Sequence, residues 1–214
     1  MTIVHHPADD LLLGYAAGAS DETVSLIVAT HLALCPQCRR VVSGAEAVGG
    51  VVLEQEKTVP LDDGALQSVL SRLGDAPLSA KSAAAHRSFV VPEPLRSYLG
   101  GDLDAVKWTG LAGGIYFKPL FRRGKSRAYL IRSKPGCSAG WHTHHGEELT
   151  LCLAGGYTDE TGQYARGDLQ ATTPDILHRP VADEGEDCIV LATSDARLKF
   201  SGLMTGLIAR WFGF

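Results

Sequence analysis

The chain carries two sets of metal-ligating side chains that differ in chemistry. His31, Cys35 and Cys38 form an H-x3-C-x2-C run with His5 and His6 upstream, while His142, His144, Glu148 and His178 form a second set in the other half. Thiolates with imidazoles suit a closed tetrahedral zinc site; imidazoles with a carboxylate suit a divalent ion that can keep an open position. Each set works only if the fold brings its members to one point. His31 and Cys35 are four residues apart and share a face on a helix. His142 and His144 are two apart and share a face on a strand. The pattern therefore demands a helical module joined to a β module, and suggests a sensor joined to an effector.

The length of 214 residues allows one large or two small domains, and 45% hydrophobic content lets each half bury a core. No apolar run approaches the ~20 residues needed to span a bilayer. Met1 to Pro7 has neither the basic start nor the apolar stretch of a signal peptide, so a cytoplasmic location with no membrane attachment is expected. Five cysteines, an odd number, do not suggest a disulfide framework, and a reducing compartment favours metal ligation for the close pair.

The net charge of -4 is unevenly spread: residues 1–80 hold four Lys/Arg against ten Asp/Glu. Phosphate contacts need Lys and Arg, so this half is not expected to grip nucleic acid directly. It fits a module covering a basic protein partner, and equally, on charge alone, a solvated acidic surface. No helix near the CxxC pair has the basic stripe of a recognition helix, so any effect on transcription is expected to be indirect.

Residues 8–80 read as mainly helical. Leu11, Leu12, Tyr15 and Ala16 form a stripe within Asp9 to Ala19, and Ser20-Asp21-Glu22-Thr23 reads as a stop followed by an N-cap. Val24, Ile27, Val28, His31 and Leu32 repeat at helical spacing; a third helix starts near Cys35-Pro36 and runs through Glu54. Asp62 to Leu73 is a shorter amphipathic helix with Leu66, Val69, Leu70 and Leu73 on one side. Residues 1–78 thus form one domain, and 79–100 a linker, since Gly74 to Arg87 is small, polar and Pro-containing. Short β-rich runs follow at Gly114–Leu120, Arg127–Ser133, Leu149–Leu153, Asp168–Ala171 and Cys188–Thr193, which predicts an all-β barrel or sandwich over 101–195. The apolar stretch 196–214 is expected to pack on that barrel.

In the first set, three ligands come from eight residues, and the fourth tetrahedral corner can be filled by His6 or its neighbour His5, fastening the N-terminal segment to the bundle. A thioredoxin-like redox role for the CxxC needs a βαβ setting, which the sequence does not offer. Leu12-Leu-Gly-Tyr15-Ala-Ala-Gly18 followed by His31-Leu-Ala-Leu-Cys35-Pro-Gln-Cys38-Arg39-Arg40 resembles the zinc-binding anti-sigma domain, over about residues 1–75. The resemblance implies a four-helix module that binds an extracytoplasmic-function-type sigma factor, one to one, and keeps it from core RNA polymerase. It places structural zinc on His6, His31, Cys35 and Cys38.

Gly136-x5-His142-x-His144-x3-Glu148-x6-Gly155 resembles the first cupin motif at every position. The second motif is partial: Gly167 and His178 keep their spacing, while Pro174 is displaced by one and Ala182 stands where Asn is usual. The resemblance implies a jelly-roll barrel holding a divalent ion on His142, His144, Glu148 and His178; Zn2+, Fe2+, Mn2+ and Ni2+ all suit such ligands, and zinc is the expectation adopted. Cys137, Cys152 and Cys188 read as small buried hydrophobes, and Trp108 and Trp141 as core or pocket wall. The order of modules resembles the ChrR anti-sigma family over nearly the full length. This implies a regulator, not an enzyme, that releases sigma under oxidative stress, singlet oxygen or organic peroxide, sensed through the cupin. The alternative is a metal-dependent cupin dioxygenase or isomerase with a helical accessory domain, for which Glu147, Tyr129 and Arg132 are the candidate acid–base or clamp groups.

Overall fold

The computed structural model describes residues 2–73, 91–196 and 198–200. Five α-helices precede the strands: α1 (Asp9–Ala16), α2 (Glu22–Leu34), α3 (Pro36–Glu54), α4 (Ala65–Arg72) and α5 (Glu93–Leu99). The strands are β1 (Thr109–Gly110), β2 (Ile115–Arg123), β3 (Ser126–Ser133), β4 (His142–His144), β5 (Glu148–Ala154), β6 (Gly156–Asp159), β7 (Gly162–Ala165), β8 (Leu169–Thr172), β9 (Val181–Ala182), β10 (Cys188–Ser194) and β11 (Leu198–Phe200). None of the described helices is long and apolar enough to cross a membrane.

The helix boundaries follow local chemistry. Gly18, at φ +66°, lets the chain leave α1 in a left-handed turn. Asp21 caps α2 by accepting hydrogen bonds from the Thr23 and Val24 amides at 2.8 and 2.9 Å, a contribution of about 1 kcal/mol. Cys35 ends α2 and caps α3, with Pro36 in the first turn of α3, where a missing N–H costs nothing.

A six-stranded antiparallel sheet runs in the order β1-β2-β3-β10-β5-β8. Facing it are the three strands β7-β6-β9 and the pair β11-β4, tied by the bridges Ser138–Val181 and His142–His178. This is the expected cupin jelly roll. Of the stretch 196–214, Leu198–Phe200 pairs with β4; residues 201–214 lie outside the described residues.

The two halves share one hydrophobic core. Helix α2 is buried nearly all round, at Leu26, Ile27, Val28, Thr30, His31 and Leu32. One side meets α1, α3 and α5; the other lies on the outer face of the large sheet, against β10, β5, β3 and β2. Leu130, Leu149, Leu151, Leu153 and Leu191 from that face belong to the same cluster as Leu12, Ile27 and Leu95. Strand β5 is accordingly buried on both faces, its odd residues against the helices and its even residues inside the barrel. At the rim Arg123 forms an ion pair with Glu22, and the Ser126 hydroxyl donates to Asp21 at 2.9 Å.

Two features differ from a simple bead-and-linker picture. Within the 79–100 span read as linker, Glu93–Leu99 is a helix that docks on α2 and buries Leu95 completely; residues 79–90 lie outside the described residues. Helix α4 stands off from the other helices, burying no residue. Leu66, Val69, Leu70 and Leu73, and Val48, Val51, Val52 and Leu53 at the end of α3, are all exposed.

Candidate metal centres and family

His31 leaves the last turn of α2, Cys35 the cap and Cys38 the first turn of α3, so a single helix-to-helix turn delivers three donors. His6 arrives from the N-terminal segment that precedes α1. Its Nδ1 lies 3.4 Å from the sulfur of Cys35 and 3.4 Å from that of Cys38. His31 Nε2 is 3.3 Å from the Cys38 sulfur. The four donor atoms lie within 4.8 Å of one another. His5 turns the other way, its ring 4.5 Å from that of Tyr164.

The proton positions suit metal binding. His31 Nδ1 donates to the carbonyl of Gly167 at 2.9 Å, so Nε2 presents its lone pair to the cluster. Burial lowers the His31 pKa to about 4, which keeps the ring neutral. Burial and the adjacent Cys35 push the Cys38 thiol up to about 12. A cation at this point reverses that preference, because a coordinating thiol gives up its proton. Convergent soft donors, three of them buried and His6 half-buried, fit Zn2+.

The partner of His31 comes from the barrel. Gly167 sits between β7 and β8 at φ +97°, and a Cβ there would meet the Ile3 side chain at 2.5 Å. Beside it, Asp168 accepts from the Val4 and His5 amides at 2.8 and 2.9 Å, and the Leu169 amide donates to the His5 carbonyl at 3.1 Å. The segment that supplies His6 is therefore strapped to the barrel.

The second centre lies inside the barrel. His142 and His144 come from β4, Glu148 opens β5 and His178 precedes β9; all four are buried and their donor atoms lie within 4.8 Å of one another. His142 Nδ1 donates to the Gly140 carbonyl at 3.0 Å and His178 Nδ1 to Asp159 at 2.7 Å, so both rings turn Nε2 inward. The Nε2 atoms of His144 and His178 are 3.1 Å apart, and His144 Nε2 is 3.5 Å from Glu148. Burial lowers the His144 pKa to about 4 and, less far, that of His142. Burial also raises the Glu148 carboxyl, against the pull of His142 and of the Tyr129 hydroxyl that donates to it. Three imidazoles and a carboxyl, all buried and facing one another, fit a divalent ion.

Asp159 has no counterpart in the sequence reading. Although burial opposes it, hydrogen bonds from His178, Gln170 and Thr161 hold its carboxyl well below the usual range. It ends β6, and its link to His178 is a tertiary contact that no local pattern announces.

Other residues fall where their chemistry puts them. Cys152 and Cys188 are buried in the barrel core, and Cys137 is half-buried. Trp108 packs against the shared core, whereas Trp141 is exposed with the Arg179 guanidinium 5.8 Å from its ring. His145 and Glu147 are exposed, and Arg132 pairs with Asp187.

Residues 98–196 match the family model described as the ChrR cupin-like domain. The anti-sigma-E factor ChrR of Cereibacter sphaeroides is 40% identical over 212 residues, covering 99% of each chain. The chain belongs to the ChrR family of anti-sigma factors. The structure of Rhodobacter sphaeroides SigE in complex with the anti-sigma ChrR contains a chain that superposes with a TM-score of 0.79 at 39% identity, over 90% of this chain and 100% of that one. The ChrR-type arrangement, a helical half with the His/Cys cluster ahead of the cupin, therefore extends to this chain as a whole.

Proposed function

We propose that this protein is an anti-sigma factor whose helical half binds an extracytoplasmic-function-type sigma factor. The observation that carries this reading is the open apolar surface of that half. Val48, Val51, Val52 and Leu53 of α3 and Leu66, Val69, Leu70 and Leu73 on and after α4 are exposed. Clusters of exposed apolar side chains on two neighbouring helices of the sequence suit a protein partner. A groove of about 560 Å³ between α1 and α3, lined by Leu13, Ala16, Ala17, Ala45 and Val48, adds a socket beside it. The ChrR relative was solved bound to SigE, and the acidic balance of residues 1–80 complements the basic surface a sigma factor uses on DNA.

Zinc on His6, His31, Cys35 and Cys38 then fixes the α2–α3 turn and the N-terminal strap, which together shape the docking half. A divalent ion, with zinc as the first expectation, occupies His142, His144, Glu148 and His178. The barrel serves as the sensing half, responding to oxidative stress. Because the halves share one core, the signal acts by loosening that core and its strap, not by swinging a linker. The cupin-enzyme alternative draws no support from Glu147 or Arg132, neither of which faces the cluster; Tyr129 reaches it only as a hydrogen-bond donor to Glu148.

The test is a docking-surface variant. Val48→Glu with Leu70→Glu leaves every buried residue in place. It is expected to keep the fold, by circular dichroism, and to lose capture of a cognate sigma factor in pull-down. Undiminished capture refutes the assignment of this surface.

A further inference from the structure

The β6–β7 hairpin touches both clusters. At its tip, Asp159 accepts from His178 Nδ1 at 2.7 Å and Glu160 accepts from the Arg179 amide at 2.8 Å, so the tip holds the His178 segment on two sides. The Thr161 hydroxyl donates to Asp159 at 2.7 Å. With its one proton committed there, Thr161 accepts from the Tyr164 hydroxyl at 2.9 Å. Gln170 Nε2 braces the same junction, 2.7 Å from Asp159 and 2.7 Å from Thr161.

At the base of the hairpin, the Tyr164 ring lies against that of His5. The Ala165 amide donates to the second oxygen of Asp168 at 2.9 Å, the same carboxylate that takes the Val4 and His5 amides. Two residues after Ala165, the Gly167 carbonyl takes the proton of His31. One rigid unit thus grips a ligand of the barrel cluster at its tip. At its base it grips His31 and the neighbour of His6.

The geometry points to this hairpin as a coupling element: a divalent ion in the barrel cluster holds the His5–His6 strap in place and slows opening of the cysteine cluster. The inference rests on reading both clusters as metal sites. The logic is local. An ion on His178 Nε2 fixes that ring, the ring fixes Asp159, and Asp159 with Thr161 fixes Tyr164 against His5. Release of the ion frees the first member, and the strap loses one of its supports. Linkage makes the effect mutual, so zinc in the cysteine cluster tightens the barrel ion by the same factor.

The experiment uses the full chain without any sigma factor, so failure of the sigma reading does not affect it. Wild type, His142→Ala, Thr161→Val and Tyr164→Phe are purified, and metal content is measured on each sample. Iodoacetamide labelling of Cys35 and Cys38 is then followed by peptide mass spectrometry. His142→Ala empties the barrel without touching the hairpin. Wild type is expected to label at least about fivefold more slowly than His142→Ala, the lower range of ordinary site–site coupling. Thr161→Val and Tyr164→Phe are expected to keep both metals yet label within about twofold of His142→Ala, because the relay is cut between intact clusters. Equal rates in wild type and His142→Ala overturn the proposal, as do two-metal relay variants that label as slowly as wild type. If Thr161→Val loses the barrel ion, Tyr164→Phe decides, since it removes only a hydroxyl. A wild-type barrel that binds no ion overturns the proposal together with the metal reading beneath it.

Discussion

Ile27→Ala tests whether the two halves fold as one unit. Ile27 lies on α2 with no exposed surface, in a cluster that includes Leu149, Leu151 and Leu191 of the barrel sheet. Removing three buried carbons from so closed a site costs about 3–4 kcal/mol, made up of lost transfer energy and the cavity left behind. For a chain of this size that lowers the melting temperature by roughly 10 °C. The two halves carry separate probes. All three tryptophans, Trp108, Trp141 and Trp211, lie in the second half of the sequence, so none belongs to α1–α4. The far-ultraviolet dichroism at helical wavelengths follows mainly α1–α4. A shared core requires both signals to shift together by the same amount, in a single transition. If the dichroism shifts while the tryptophan transition stays at its wild-type temperature, the halves are independent domains and the shared-core account is wrong.

Three further outcomes follow from the same structure. In the metal-free chain, His31 and His144 are neutral when folded, with pKa values lowered to about 4, and take up a proton near 6.5 when unfolded. The unfolded state therefore binds more protons between those values. Stability is full above pH 6.5 and falls by up to about 1.4 kcal/mol per pH unit per histidine as the pH drops towards 4, measurable as urea midpoints across that range; a flat profile contradicts the buried neutral rings. Gly167→Ala strains a left-handed position and drives a Cβ into Ile3, so it should displace the strap, cost about 1–3 kcal/mol and weaken zinc retention in a chelator competition; retention equal to wild type would mean the strap does not hold His6. Asp168→Ala removes the acceptor of the Val4 and His5 amides and should raise zinc loss in the same competition without changing the barrel ion's stoichiometry.

Much of the site was legible because ligand spacing reports secondary structure directly. The i, i+4 phase of His31 and Cys35 needs a helix, and the i, i+2 phase of His142 and His144 needs a strand; the structure brings each foursome together. The helices α1 to α4 and the five strand segments read from the sequence also follow their patterns to within a few residues. Helix α5 escaped because Pro92 and Pro94 flank its start and it is short, so its helicity depends on Leu95 docking against α2. The shared core left a trace that composition alone does not interpret: Leu149, Leu151 and Leu153 alternate with Thr150 and Cys152, so β5 is nearly neutral or apolar on both faces. The β6–β7 hairpin was missed because each of its four-residue strands opens on glycine and shows no apolar run. Asp159, Asp168 and Tyr129 carry no local signal; each acquires its role from a partner distant in sequence.

The central claim is that a zinc-held helical half captures a sigma factor. The direct test is co-purification of the chain with a candidate extracytoplasmic-function-type sigma factor, with metal content determined on the complex and on a Cys35→Ser/Cys38→Ser variant. The account predicts a stable complex with about two metals per wild-type chain, and in the variant about one metal and no complex. A complex that survives in the variant with the cysteine-site metal gone contradicts it, as does a wild-type chain that binds both metals and captures no sigma factor.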